Sequence, residues 1–240
     1  MLRVNWNNIK LIVALGLAFF LFAFSMHRNA VRKVSNPIIK FKGDHNLFIT
    51  HETVSKLLIQ NQHGVKNVPK ETLDLNILES ALNSNQMIKS AEVHVSVNGV
   101  LTVDVDQKKP IARVSTNASY YIDDTGFYMP LSSNYTARVP LVTGHVEKNS
   151  LSNVYTLANK IYQDEFLRKS VIEIYQNENK AMYIKLRQCD FIVQLGSLNQ
   201  LDKKINNLKV FYQKALKERT LNNYSKVNLQ FDNQVVCTKA

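Results

Sequence analysis

The side chains able to do covalent or metal chemistry are few and scattered. His27, His45, His51, His63, His94 and His145 form no H-E-x-x-H run and no ligand-spaced pair, so no metal site is expected. His94 alternates with Val93 and Val95, which places it on the solvent face of a strand. Gly196-Ser197 lacks the frame of a nucleophile elbow and reads as a helix start. Asp123 and Asp124 are a candidate carboxylate pair for acid–base work, but adjacent residues in a turn point apart, and a turn accounts for them fully. Asp104 and Asp106 fall on the polar side of a strand. With seven glycines in the chain, no phosphate-cradling loop is present. Cys189 and Cys237 can pair in an oxidising compartment, yet two cysteines are too few for a disulfide scaffold, and two half-buried thiols fit equally well. The sequence therefore predicts a non-enzyme with no cofactor and no small-molecule substrate.

The elements that carry these residues begin with the run LIVALGLAFFLFAFSM at 11–26, which has no charge. At about 1.5 Å per residue it forms a helix of roughly 24 Å, slightly short of a bilayer core of about 30 Å. Ile9 and the stem of Lys10, whose ammonium snorkels outward, supply the missing turn. A buried core helix would not be apolar on every face this close to the N-terminus. A cleaved secretory signal is the other reading, with Ala23-Phe24-Ser25 as the cut, but Met26-His27-Arg28 is a poor mature start. A retained anchor is expected, with residues 11–27 as the transmembrane helix. Basic residues flank both ends, so charge does not set the orientation. A tail of residues 1–10 is too short to fold, which favours a cytoplasmic tail and the bulk outside.

The formal charge of +11 favours anionic lipid headgroups, nucleic acid or acidic proteins. No zinc-finger spacing, helix-turn-helix pattern or RNA-binding aromatic motif accompanies it, so no nucleic-acid partner is expected. Asn117, Asn134 and Asn223 open N-x-[ST] triplets that matter only in a eukaryotic source.

Past residue 35 the fold class is α+β. Residues 37–42 read as a strand. Thr50 caps a short helix carrying Val54, Leu57 and Leu58, and a polar loop follows at 61–70. Leu75, Leu78, Ala81 and Leu82 mark a second helix, with Asn76 and Glu79 as a capping box. Strands at 92–97 and 100–106 flank Asn98-Gly99, a hairpin signal. A two-residue turn would set the two valine rows on opposite faces, so a three-residue loop or a bulge is predicted, with Val97 facing Leu101. Beyond Lys108-Lys109-Pro110 come strands at 111–114, 120–122, 127–131 and 140–142. A helix capped by Ser150 follows, then strands at 171–175, 182–186 and 191–195. A long helix capped by Ser197 carries a lysine stripe (Lys203, Lys204, Lys209, Lys214, Lys217) that reads as a solvated face. Strands at 227–231 and 234–238 close the chain.

This order of elements resembles the FtsQ/DivIB family of bacterial cell-division proteins over nearly the whole chain. Ile38-Ile39-Lys40-Phe41-Lys42-Gly43 resembles the first strand and glycine of the family's POTRA domain. Met87-Ile88-Lys89-Ser90-Ala91-Glu92-Val93 resembles its P-W-V-x-x-A-x-V entry to the hairpin, with Met87 and Ile88 in place of proline and tryptophan. Pro110-Ile111-Ala112-Arg113 resembles the step into the β domain, and Ile122-Asp123-Asp124-Thr125-Gly126 its D-x-x-G hairpin. The ending at 227–233 resembles the penultimate strand and turn. The resemblance implies a POTRA domain at 36–108 and a β domain with two helices at 109–240. It also implies a divisome scaffold, single-pass in the inner membrane and enriched at the septum, that binds FtsB/FtsL-like partners and helps control septal peptidoglycan synthesis. Other divisome proteins would meet the POTRA domain. The partner site implied is an added strand beside the last ribbon, at Phe231, Asn233, Gln234, Val235, Val236, Cys237 and Thr238. Some relatives carry an aromatic where Lys239 stands. The alternative is a POTRA-containing periplasmic module of secretion or outer-membrane assembly, which expects tandem POTRA repeats or a following β-barrel. A secreted hydrolase or binding protein with a cleaved signal is a third reading.

Overall fold

Apolar side chains on all sides of the first helix, α1 (Trp6–Ala30), leave most of its length no polar face to turn to water. In the computed structural model, which describes residues 6–43, 46–61, 68–232 and 234–240, Leu15, Phe19, Phe22 and Met26 all stand open. Ile9–Ala30 is long and apolar enough to cross a membrane. Its rise of about 33 Å exceeds the predicted span by extending past both ends. The chain divides into two compact units, Met1–Gln107 and Lys108–Ala240.

In the first unit α1 is followed by β1 (Ile38–Lys42), α2 (His51–Asn61), α3 (Leu75–Asn83), β2 (Ile88–Val95) and β3 (Leu101–Gln107). The sheet order is β1-β3-β2, with β1 parallel and β2 antiparallel to β3. Val54 and Leu58 of α2 and Leu78 and Leu82 of α3 cover Val93, Leu101, Val103 and Val105, forming one core. Thr50 caps α2 as predicted, its hydroxyl accepting from the Thr53 N–H at 3.2 Å. The capping box at Asn76 and Glu79 does not form. Asp74, with its extended backbone, caps α3 by accepting from the N–H groups of Asn76 (3.0 Å) and Ile77 (3.2 Å). Glu79 is thereby free to reach the sheet.

The β2–β3 hairpin has the predicted three-residue loop, shifted by one position. Ser96 donates to the Val100 carbonyl, and Gly99 takes φ +81°, the left-handed loop position that favours glycine. Placing Gly99 third in the loop makes the loop 97–99, so Val95 rather than Val97 lies opposite Leu101. The valine rows still share a face, while Val97 sits at the tip, 75% exposed.

The second unit contains β4 (Pro110–Ser115), β5 (Ser119–Asp123), β6 (Tyr128–Met129), β7 (Leu141–Gly144), α4 (Ser152–Gln163), α5 (Glu165–Ser170), β8 (Val171–Gln176), β9 (Met182–Leu186), β10 (Ile192–Gly196), α6 (Leu201–Lys217), β11 (Tyr224–Asn228) and β12 (Val236–Lys239). One nine-stranded sheet runs β12-β11-β10-β9-β8-β7-β4-β5-β6. Val154, Leu157 and Ile161 of α4, Leu167 of α5, and Ile205 and Leu208 of α6 share a single core with the inward positions of the strands. The short helix α5 joins the two predicted helices; Asp164 has extended backbone, which ends α4 and caps α5. Neither predicted serine cap forms. α4 and α6 begin without a side-chain cap, and Gln200 before α6 is left-handed.

Candidate functional site

β12 is an edge. It pairs antiparallel with β11, Val236 opposite Asn228, Cys237 opposite Val227 and Thr238 opposite Lys226, and no strand pairs with its other flank among the described residues. In an antiparallel ladder alternate residues turn N–H and C=O away from the partner, so β12 presents unmatched backbone groups outward. The strand begins two residues later than predicted. Gln234 and Val235 precede it, and Lys239, predicted beyond it, lies within it. β11, by contrast, starts and ends three residues earlier than predicted, and its end is set where Asn228 accepts from the Gln230 N–H at 2.9 Å and turns the chain. Phe231 is therefore in the connection, not in a strand, and is 48% exposed. Asn233 lies outside the described residues. Val235 and Cys237 pack against the core, whereas Gln234, Val236 and Thr238 are exposed.

The ribbon is anchored at its inner end. The Leu229 N–H donates to the Gln194 carbonyl at 2.9 Å, extending the parallel β10–β11 ladder. Gly196, at φ +67°, lies so close to the Gln230 side chain that an added Cβ would come within 2.3 Å of its Nε2. From α6, the Lys204 ammonium donates to the carbonyls of Leu195 (2.9 Å) and Ser197 (2.7 Å). Burial pushes its pKa down, and the Asp232 carboxylate partly opposes that shift.

The sheet face turned away from α4–α6 carries Tyr175, Tyr183 and Ile192, with the tyrosine ring centroids 5.8 Å apart. They line a shallow hollow of about 450 Å³ that reaches Ser225 and Lys226 on β11, next to β12. Sequence reasoning missed this surface. The alternation of Tyr183 with Met182 and Ile184 was its only signal.

Several polar groups singled out from the sequence have structural partners. Asp123 is fully buried and accepts from the N–H groups of Thr125 (3.0 Å) and Phe127 (2.9 Å), with the Lys108 ammonium 2.9 Å away. Burial alone would raise its pKa; the hydrogen bonds from Thr125, Lys108 and Phe127, with the Lys108 charge, hold it below the ordinary carboxylate value. The turn explanation for Asp123 thus gains a charged clamp. Lys209 pairs with Asp164, and with Lys204 this removes two members of the predicted solvated stripe. Cys189 and Cys237 are free thiols; burial pushes Cys189 up to about 11 and raises Cys237, so both are protonated at neutral pH. Among the described residues no three His, Cys, Asp or Glu side chains group to hold a metal.

Two family models match the chain. One, described as FtsQ/DivIB, C-terminal related, covers residues 109–238, and a POTRA-like domain covers residues 39–106. No curated protein matches.

Proposed function

The chain belongs to the FtsQ/DivIB C-terminal-related family, and from that premise we propose that it is a membrane-anchored, non-enzymatic scaffold of cell division. Its partner is the extracytosolic segment of an FtsB/FtsL-like bitopic protein, added as a strand beside β12. The observation that supports this reading is the unpaired outer flank of β12, held in register by β11. Backbone hydrogen bonds along that flank would supply affinity, and side chains alternating to either face would supply selectivity. The binding residues are Phe231, Asn233, Gln234, Val235, Val236, Cys237 and Thr238, with Lys239 added by the observed bounds of the strand. The hollow beside Tyr175 and Tyr183 extends the same surface. A single-pass anchor with residues 1–10 in the cytosol would hold the folded units outside, where septal peptidoglycan synthesis is controlled. The POTRA domain is available to other divisome proteins.

Proline at Val235 or Val236 tests the reading, because it removes a ladder donor and blocks an added strand. Loss of partner pull-down with unchanged circular dichroism is expected, as is septal enrichment of the tagged parent chain. Normal pull-down by folded proline variants would sink the docking mode.

A further inference from the structure

The end of α1 is fastened to the folded part of the first unit. Beyond the helix, the Lys70 N–H donates to the Arg32 carbonyl, Val34 N–H to the Val68 carbonyl and Ser35 N–H to the Gly99 carbonyl, each at 2.9 Å. The Arg32 guanidinium also donates to the Val97 carbonyl at the hairpin tip. Gly99 approaches this segment so closely that an added Cβ would lie 2.8 Å from the Lys33 carbonyl oxygen. Lys70 and the hairpin tip are thus held over the last turns of a helix that crosses a membrane.

Between them lies a crevice of about 590 Å³. Its helix wall is mainly apolar, with Leu21 and Phe22 beside Ser25, and its upper rim carries Arg28, Asn29, Arg32 and Lys70, with Val97 overhanging. Among the described residues, none that lines it is acidic. Arg28 stands about 10 Å above Leu21 along the helix axis. That step takes in the upper acyl chain and a headgroup layer of roughly 5–8 Å. Three cations above an apolar wall match an anion carrying a hydrocarbon tail, and the membrane-crossing helix puts bilayer lipid at this spot.

We infer that this crevice is a binding site for one anionic phospholipid, its phosphate between Arg28, Arg32 and Lys70 and its acyl chain along Leu21 and Phe22. The bound lipid would fix the first unit close to the membrane surface, in the leaflet on its own side. The inference needs α1 to cross a bilayer, and it does not depend on partner capture at β12.

The test uses the full chain in nanodiscs containing phosphatidylcholine and phosphatidylglycerol, extracted in mild detergent, with retained lipid counted by native mass spectrometry. Preferential retention of phosphatidylglycerol is expected. The double variant R28Q/K70Q should lower that retention on the order of tenfold without moving the melting temperature. Arg32 is left in place because it also holds the hairpin tip. The charge-keeping variant R28K/K70R should restore retention, and K203Q/K217Q on α6 should not change it. Equal retention of both lipids by the parent chain, or full retention by R28Q/K70Q, would overturn the site. Displacement by inorganic phosphate alone would show a simple anion site and overturn the lipid assignment.

Discussion

β2 and β12 both lie at the outside of a sheet, and the chain treats their outer flanks differently. On β2, the Asn83 side-chain amide accepts from the Ala91 N–H at 2.8 Å and donates to the Ala91 carbonyl at 3.3 Å. Glu79, displaced from its predicted capping role, accepts from the Val93 N–H at 2.7 Å. One turn of α3 therefore does what a neighbouring strand would do, and β2 cannot template another chain. No such cover meets β12 among the described residues. The other two edges among the described residues carry milder deterrents to pairing, β6 its two-residue length and β1 Lys40 and Lys42. The contrast is that α3 side chains cover the outer flank of β2, whereas among the described residues nothing covers that of β12, the flank to which the proposed partner strand would add.

Five substitutions or titrations would break or sharpen this contrast. The largest effect is expected at the β6 end, where Lys108 and Asp123 clamp the tight turn. Lys108→Ala leaves a buried carboxylate without its countercharge, held only by the hydrogen bonds from Thr125 and Phe127, and should cost about 3 kcal/mol in urea unfolding of the second unit. Next, Glu79→Ala or Asn83→Ala would strip the cover from β2. Each should cost about 1–3 kcal/mol, with faster amide exchange at Ala91 or Val93. At the open edge, Val236→Asp should leave stability within about 0.5 kcal/mol, since the side chain is 41% exposed. Partner affinity, read by titration calorimetry, should fall roughly tenfold, or about 1.4 kcal/mol.

Two smaller effects follow from protonation. Because folding depresses the Asp123 pKa, its contribution is complete above about pH 4, the unfolded value, and declines as pH falls through the folded value. The acid limb of stability should flatten in Lys108→Ala, as read by melts across that range. At pH 8, Cys189 should resist iodoacetamide in the native chain, while Cys237 on β12 should react slowly and be shielded by a bound partner.

Much of this fold was legible because its signals are local. Period-two valines, the Asn98-Gly99 turn and the three-and-four spacing of leucines placed most elements within a few residues. The misplaced details all involve competition between nearby groups. Asp74 outcompeted Asn76 for the α3 cap, Gly99 pulled the hairpin loop back by one, and Asn228 ended β11 before Phe231. The cover over β2 was illegible, since it depends on which residues of α3 face the sheet edge. The position of β12 at an edge came from family resemblance, because strand order is a long-range property. The Tyr175–Tyr183 hollow was missed for the same reason: it exists only once β8 and β9 are paired.

Amide hydrogen exchange across residues 88–95 and 235–240, with and without the partner's extracytosolic segment, tests the central claim most directly. The account predicts that Ala91 and Val93 are protected in the free chain and unchanged by partner. Alternate amides of β12 should exchange fast when free and become strongly protected in the complex. Fast exchange along β12 in a demonstrably formed complex would contradict strand addition at this edge.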